Sequence, residues 1–197
     1  MSRGRGSLVA AVVAALLLGG CTSSDQPAEE DRPAQPVGRT TGPDRTCPDL
    51  SPAPVRDDGL PDLKLPCLED GPPVNLKDLR GTPLVLNVWA AWCTNCDREM
   101  PLLADAMDRA GSRVRFFGVH YKATRAQGRS SEEDFGVPFP SVHDADGDRT
   151  ALALRATAPP QTFFVAADGE VVGRKVGEIT TQAMLDDLVE RYLGVRL

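Results

Sequence analysis

The sequence has no run of lysines and arginines, only two histidines, a single Cys-x-x-Cys and no apolar stretch longer than eleven residues. Each scarcity excludes a class of function. Lysine and arginine number 22 against 28 aspartates and glutamates, a formal net charge of −6. Residues 1–20 hold Arg3 and Arg5 and no acid, so the remainder stands at 20 − 28 = −8. Nucleic-acid binding needs basic side chains to displace phosphate counterions, and this balance excludes it. A structural zinc needs about four ligands. His120 and His143 are the only histidines, and the other cysteines precede the Cys-x-x-Cys singly, so no such set is apparent and no metal is expected. The acidic stretch DADGD at 144–148 lacks the distal glutamate of a calcium loop and reads as a solvated turn. Internal repeats are absent. At 197 residues the chain has room for one ordinary domain plus tails.

The apolar stretch, residues 8–18, follows a start with two arginines and precedes Gly19-Gly20-Cys21. A basic start, a short apolar segment and small residues make a secretory signal, too short to span a bilayer of ~30 Å. Leu18-Gly19-Gly20-Cys21 resembles the lipobox of bacterial lipoproteins. That resemblance implies cleavage before Cys21, lipid on its sulfur and new amino terminus, and a lipid anchor on the extracytoplasmic face of the cell membrane. More than one acyl chain is what stable anchoring requires. Residues 22–46 are polar and rich in proline, and cannot bury enough surface to offset their ordering entropy. The expected organisation is a signal peptide at 1–20, a lipidated cysteine and extended tether at 21–46, and a folded domain at 47–197.

If Cys21 carries lipid, four of the five cysteines remain, in an oxidising compartment. Cys93 and Cys96 form the Cys-x-x-Cys, which leaves Cys47 and Cys67 to each other. A structural disulfide is expected there, with two free thiols or a second redox pair as the alternatives. Both cysteines sit beside prolines, and neither is followed by a helix that would lower a thiol pKa.

Within the domain, residues 59–68 alternate apolar and polar as a strand does, with 74–76 as a hairpin partner and one helical turn at 76–80. Residues 83–90 (PLVLNVWA) are continuously apolar and β-branched, the pattern of a strand buried on both faces. Helical spacing of Met100, Leu103, Ala104 and Met107 predicts a helix from Thr94 to about Ala110, and 114–120 a second buried strand. This is a βαβ unit with parallel strands. Further on come a helix from about Ser130, a short strand end at 141–142 and a helix at 148–154. Strands at 162–167 and 170–175 follow, joined at Asp168-Gly169, then a closing amphipathic helix at 180–193. An α/β domain with a central mixed sheet flanked by helices fits this order.

Cys93 falls where the buried strand gives way to the helix. Unpaired backbone N–H groups and the helix dipole there favour a thiolate, the form that attacks disulfides. Cys96, three residues on, shares the helix face and can close a ring with it. The segment Trp89-Ala90-Ala91-Trp92-Cys93-Thr94-Asn95-Cys96-Asp97-Arg98-Glu99-Met100-Pro101 resembles the active-site segment of thioredoxin-fold proteins of the TlpA/ResA branch, the exported thiol–disulfide oxidoreductases. The likeness extends over about residues 59–195. It includes LKDLRGTP at 76–83, Pro159-Pro160-Gln161-Thr162-Phe163, which looks like the family's cis-proline loop, and ADGEVV at 167–172.

The resemblance implies a thioredoxin fold with an N-terminal β-hairpin extension, catalysis by Cys93 and Cys96, and no cofactor. It places Pro160 opposite the Cys-x-x-Cys, where backbone groups stay free for a substrate strand; taken alone, the two prolines read as a surface turn. It aligns Glu99 with an acidic residue that influences the cysteine pKa values, against the alternative of a solvated first-turn glutamate. Asn87 stands where ordinary thioredoxin has a buried aspartate, so a base for Cys96 must come from elsewhere, Glu99 or water. Thr94-Asn95 departs from the family's usual dipeptides.

The implied activity is disulfide exchange by a monomer with exported cysteine-containing proteins, as their reductant in cytochrome c maturation, recharged by a membrane thiol-reductase donor. The reverse direction, as an oxidase, is the alternative. A peroxidase would need a Thr-x-x-Cys setting, and a copper carrier a wider cysteine spacing with a downstream histidine.

Overall fold

The computed structural model describes residues 43–197. The expected signal sequence, the lipid site at Cys21 and nearly all of the tether lie outside the described residues.

The apolar run at 83–90 becomes the central strand β3 (Leu84–Trp89), whose six residues are all buried. A strand covered on both faces must present apolar side chains in both directions, and this one does. Leu84, Leu86 and Val88 enter one core cluster, and Val85 and Trp89 the other. On one side β3 pairs in parallel with β4 (Arg115–Tyr121), which pairs in parallel with β5 (Ser141–Asp144). On its other side it pairs antiparallel with β6 (Gln161–Val165), which pairs antiparallel with β7 (Val171–Val176). The sheet order is therefore β5-β4-β3-β6-β7, mixed as expected.

Four helices complete the layers: α1 (Thr94–Ala110), α2 (Arg125–Asp134), α3 (Asp148–Leu154) and α4 (Gln182–Leu193). In α1 the residues Cys96, Met100, Leu103, Ala106 and Ala110 recur at helical spacing and are buried against the face of Val85 and Trp89. Leu185 and Val189 of α4 join the same cluster. On the opposite face, Leu154 of α3 packs with β1 (Lys64–Leu65) and β2 (Val74–Asn75), an antiparallel hairpin.

Three local expectations shift. The strand drawn at 59–68 forms a ladder over only two residues, with single bridges at Gly59 and Cys67, because Pro61 and Pro66 lack the N–H that a continuous ladder requires. The helix expected from Ser130 begins at Arg125, because Thr124 and Gln127 form a capping box: Thr124 Oγ1 accepts from Gln127 N (3.2 Å) and Gln127 Oε1 accepts from Thr124 N (3.0 Å). The turn at 144–148 is not wholly solvated, since Asp144 is buried and its Oδ2 accepts from Thr150 N (2.7 Å) inside α3.

The amino-terminal segment is fixed to the domain before Cys47. Arg45, placed in the tether by composition, donates to Val137 O (2.6 Å) and Glu132 O (3.1 Å) beyond and within α2. Cys47 is joined to Cys67, both buried, and Cys67 bridges Val142 at the edge of the sheet. Glu132 is fully buried, and neither carboxyl oxygen has a donor within reach among the described residues. Burial, with Glu69 beside it, pushes this carboxyl up to about 8 against the pull of Arg45 and Arg129.

Two outcomes follow for stability. Replacing both Cys47 and Cys67 by alanine should lower the unfolding free energy by roughly 3 kcal/mol, the loop-closure value for about 20 residues, read by denaturant titration of the oxidised protein. A buried acid with a raised pKa keeps its proton in the folded chain but sheds it in the unfolded one. Glu132 should thus make stability fall as pH rises from its ordinary 4.5 through about 8. Urea titrations at pH 5 and pH 9 should show this fall, and Glu132→Gln should reduce it, leaving the share of Glu99, which burial also raises.

Candidate active site

The redox pair forms where β3 ends. After Trp89 the chain turns tightly, with Cys93 N donating to Ala90 O (3.0 Å), and α1 starts at once. Cys93 is the residue that caps α1: its carbonyl accepts from Cys96 N (3.0 Å) and Asp97 N (3.2 Å), and its Sγ accepts from Cys96 N (3.1 Å). An N–H aimed at sulfur stabilises negative charge there, and the helix dipole adds to it. Cys93 and Cys96 are bonded to each other in this structure. Cys93 retains 6% exposure and Cys96 none, so Cys93 is the less enclosed of the two. Beside them Trp92 is 57% exposed and held by its indole N–H on Lys122 O (2.9 Å).

One helical turn beyond Cys96, Glu99 is fully buried rather than solvated. Its Oε1 accepts from Asn87 Nδ2 (2.8 Å) and its Oε2 from Ile179 N (3.0 Å). Asn87 Nδ2 also reaches Thr162 Oγ1 (3.2 Å) on the neighbouring strand. Burial pushes the Glu99 carboxyl up to about 7, against the two hydrogen bonds that favour its charge. Asn87 thus takes a role that the sequence reading gave to no residue: it orients the carboxyl. A group that titrates near neutrality and shares a helix face with the enclosed sulfur is suited to proton transfer.

Pro160 stands at the start of β6, on a cis Pro159–Pro160 bond. Gln161 pairs with Val88 across the sheet, so the prolines lie at the end of β3 that leads into Cys93. Most carbonyls of the loop are already engaged. Thr157 O accepts from Tyr121 Oη (3.2 Å), Ala158 O from Gln161 Nε2 (2.7 Å) and Pro160 O from Gly177 N (3.0 Å). Arg174 braces this loop from below, donating to Gln161 Oε1 and to Arg155 O (2.7 Å) with its guanidinium over Phe163.

Four of the residues singled out in the sequence, Cys93, Cys96, Glu99 and Pro160, therefore share one end of the sheet. Cys47 and Cys67 stand apart, at the edge strand β5. His120 and His143 form a pair that sequence could not show. They lie opposite each other on β4 and β5, Nδ1 to Nδ1 3.0 Å, with His120 against Trp89. Burial pushes His120 down to about 3 and lowers His143 as well, so both rings are neutral near pH 7 and one donates to the other. Among the described residues, no three His, Cys, Asp or Glu side chains converge as a metal would need.

Comparison with known proteins agrees with this geometry. The profile of the AhpC/TSA family matches residues 57–174. The thiol:disulfide interchange protein DsbE of Pseudomonas fluorescens is 32% identical over 134 residues, 68% of this chain and 73% of that protein. The thiol-disulfide oxidoreductase ResA of Bacillus subtilis is 30% identical over 132 residues, 65% and 70% of the two chains. Among solved structures, a secreted Mycobacterium tuberculosis disulfide oxidoreductase homologous to Escherichia coli DsbE superposes with a TM-score of 0.57 at 24% identity, covering 66% of this chain and 96% of its own. The chain belongs to the AhpC/TSA family, and within it is a thioredoxin-fold thiol–disulfide oxidoreductase of the DsbE/ResA type.

Proposed function

We propose that this oxidoreductase is a lipid-anchored, extracytoplasmic reductant of disulfides in exported proteins, working through Cys93 and Cys96. The observation that carries the reading is the unequal setting of the two sulfurs, one capping a helix under an N–H and the other enclosed one turn above a buried carboxyl.

In the reduced protein the Cys93 thiolate attacks one sulfur of a substrate disulfide. A mixed disulfide forms and the second substrate sulfur leaves as a thiolate that takes a proton from water. Cys96 then passes its proton to the Glu99 carboxylate and attacks Cys93 Sγ. The mixed disulfide breaks, the first substrate sulfur leaves as a thiolate, and Cys93–Cys96 is left oxidised. Two electrons have moved to the substrate. A membrane dithiol donor restores the pair by the same two steps in the opposite sense. Glu99, pushed up to about 7, is divided between its charged and neutral forms near pH 7 and so is able both to accept and to release the proton.

Other parts of the reading rest on sequence alone. The basic start, the apolar run and the lipobox-like Leu18-Gly19-Gly20-Cys21 support export and anchoring through Cys21, and the polar stretch after it supports a tether. Resemblance supports apocytochrome c as a substrate class, a monomeric state and docking of substrate at the Pro159-Pro160 loop. The flanking prolines and the lack of a following helix support a structural role for the Cys47–Cys67 bridge, whose cysteines are more buried than Cys93.

A trapping experiment tests the core of this. Full-length Cys96→Ala, isolated from membranes, should hold a discrete exported cysteine-containing protein on Cys93, released by dithiothreitol, and its Cys21 should be lipid-modified by mass spectrometry. Cys93→Ala should hold nothing. Equal capture by both variants would overturn the assigned roles, and an unmodified Cys21 would overturn the anchor.

A further inference from the structure

Three consecutive residues after β7 each touch a different part of the redox site. Gly177 N donates to Pro160 O (3.0 Å), and Ile179 N donates to Glu99 Oε2 (3.0 Å). Between them Glu178 accepts two hydrogen bonds from Arg98, Nε to Oε1 (2.9 Å) and Nη2 to Oε2 (2.7 Å). Arg98 Nη2 also donates to Asn95 Oδ1 (2.6 Å), a residue between the two cysteines. Neighbouring residues of α1, Arg98 and Glu99, thus grip neighbouring residues of the turn, one from the solvent side and one from the interior. A planar guanidinium met at two points by a carboxylate fixes orientation as well as distance, which a single contact would not.

The contact is also electrostatic. The charged groups that bear on Glu99 are Glu178, which opposes its ionisation, and Lys175 of β7, which favours it; Asn87 of β3 and the Ile179 N–H supply hydrogen bonds. Arg98 lies against Glu178 and offsets its charge. The side chain of Glu178 is 17% exposed and that of Arg98 55%, so solvent screens the pair only in part.

We propose that Arg98 and Glu178 are a positioning pair for the redox site: they fasten residues 177–179 to α1, and the Glu178 charge, offset by Arg98, sets the electrostatic surroundings of Glu99. The inference rests on the reading of Glu99 as the proton acceptor for Cys96, and it names the residues that keep this acceptor tuned. Removing Arg98 leaves a bare carboxylate near Glu99 and should raise its titration midpoint. Removing the Glu178 charge leaves Arg98 unopposed and should lower it. Loosening of the turn alone would weaken the Ile179 hydrogen bond in both variants and raise both midpoints.

The sign of the shift is therefore the test. The Glu99 carboxyl carbon is followed by NMR titration in the full folded domain, oxidised, for the native protein, Arg98→Gln, Glu178→Gln, the double variant and Arg98→Lys. The expected result is a rise of about half a pH unit for Arg98→Gln and a fall of similar size for Glu178→Gln, the scale of a half-exposed ion pair. The double variant should lie between them, and Arg98→Lys, which keeps the charge but not the two-point contact, between native and Arg98→Gln. Shifts in the same direction, or none, would overturn the proposal. The reading of Glu99 itself is tested separately by turnover of Glu99→Gln against pH. A rate profile that keeps its inflection near neutrality would remove Glu99 as the proton acceptor while opposed NMR shifts still upheld the pair's control of its charge.

Discussion

The structure depends on one junction, the point where a strand buried on both faces passes into a helix whose first turn is capped by Cys93. β3 is apolar over its whole length except at Asn87, and so is held rigidly between two layers. Four residues separate it from α1, the last of them Cys93, the capping residue. A sulfur in that place receives the Cys96 N–H and the positive end of a 17-residue helix. The rest of the fold keeps this junction in position and decides what can reach it.

The interior beneath the junction is polar by necessity. Asn87, Thr162 and Glu99 make a short chain of hydrogen bonds across β3, β6 and α1, in a region otherwise filled by Val85, Met100 and Phe164. A carboxylate there would be costly without donors, and a neutral carboxyl needs fewer of them. Two donors against full burial leave Glu99 near the balance point. At Glu132, which no donor reaches among the described residues, burial and the neighbouring Glu69 likewise raise the carboxyl, against the pull of Arg45 and Arg129. What distinguishes Glu99 from Glu132 is its place, one helical turn from Cys96.

Much of this was legible in the sequence. The continuous apolar run at 83–90 and the helical spacing after it gave β3 and α1 within a residue or two, because both patterns are local. The Thr-x-x-Gln cap of α2 was equally present in the chain, and its start was misjudged only because the polar residues around it hid the helical period. What could not be read were the long-range partnerships. The N–H that meets the buried Glu99 carboxyl comes from Ile179, 80 residues away, and the His120–His143 pair is set by strand register across 23 residues. Arg45 looked like part of a tether because composition does not reveal that carbonyls at 132 and 137 await its guanidinium.

The central claim is that the helix start acidifies the Cys93 sulfur. Titrating the reduced domain by ultraviolet thiolate absorbance, with Cys96→Ala to isolate one sulfur, measures it directly. The account predicts a Cys93 pKa well below the ordinary thiol value of about 8.5, by roughly one unit or more. A value at or above the ordinary one would contradict it.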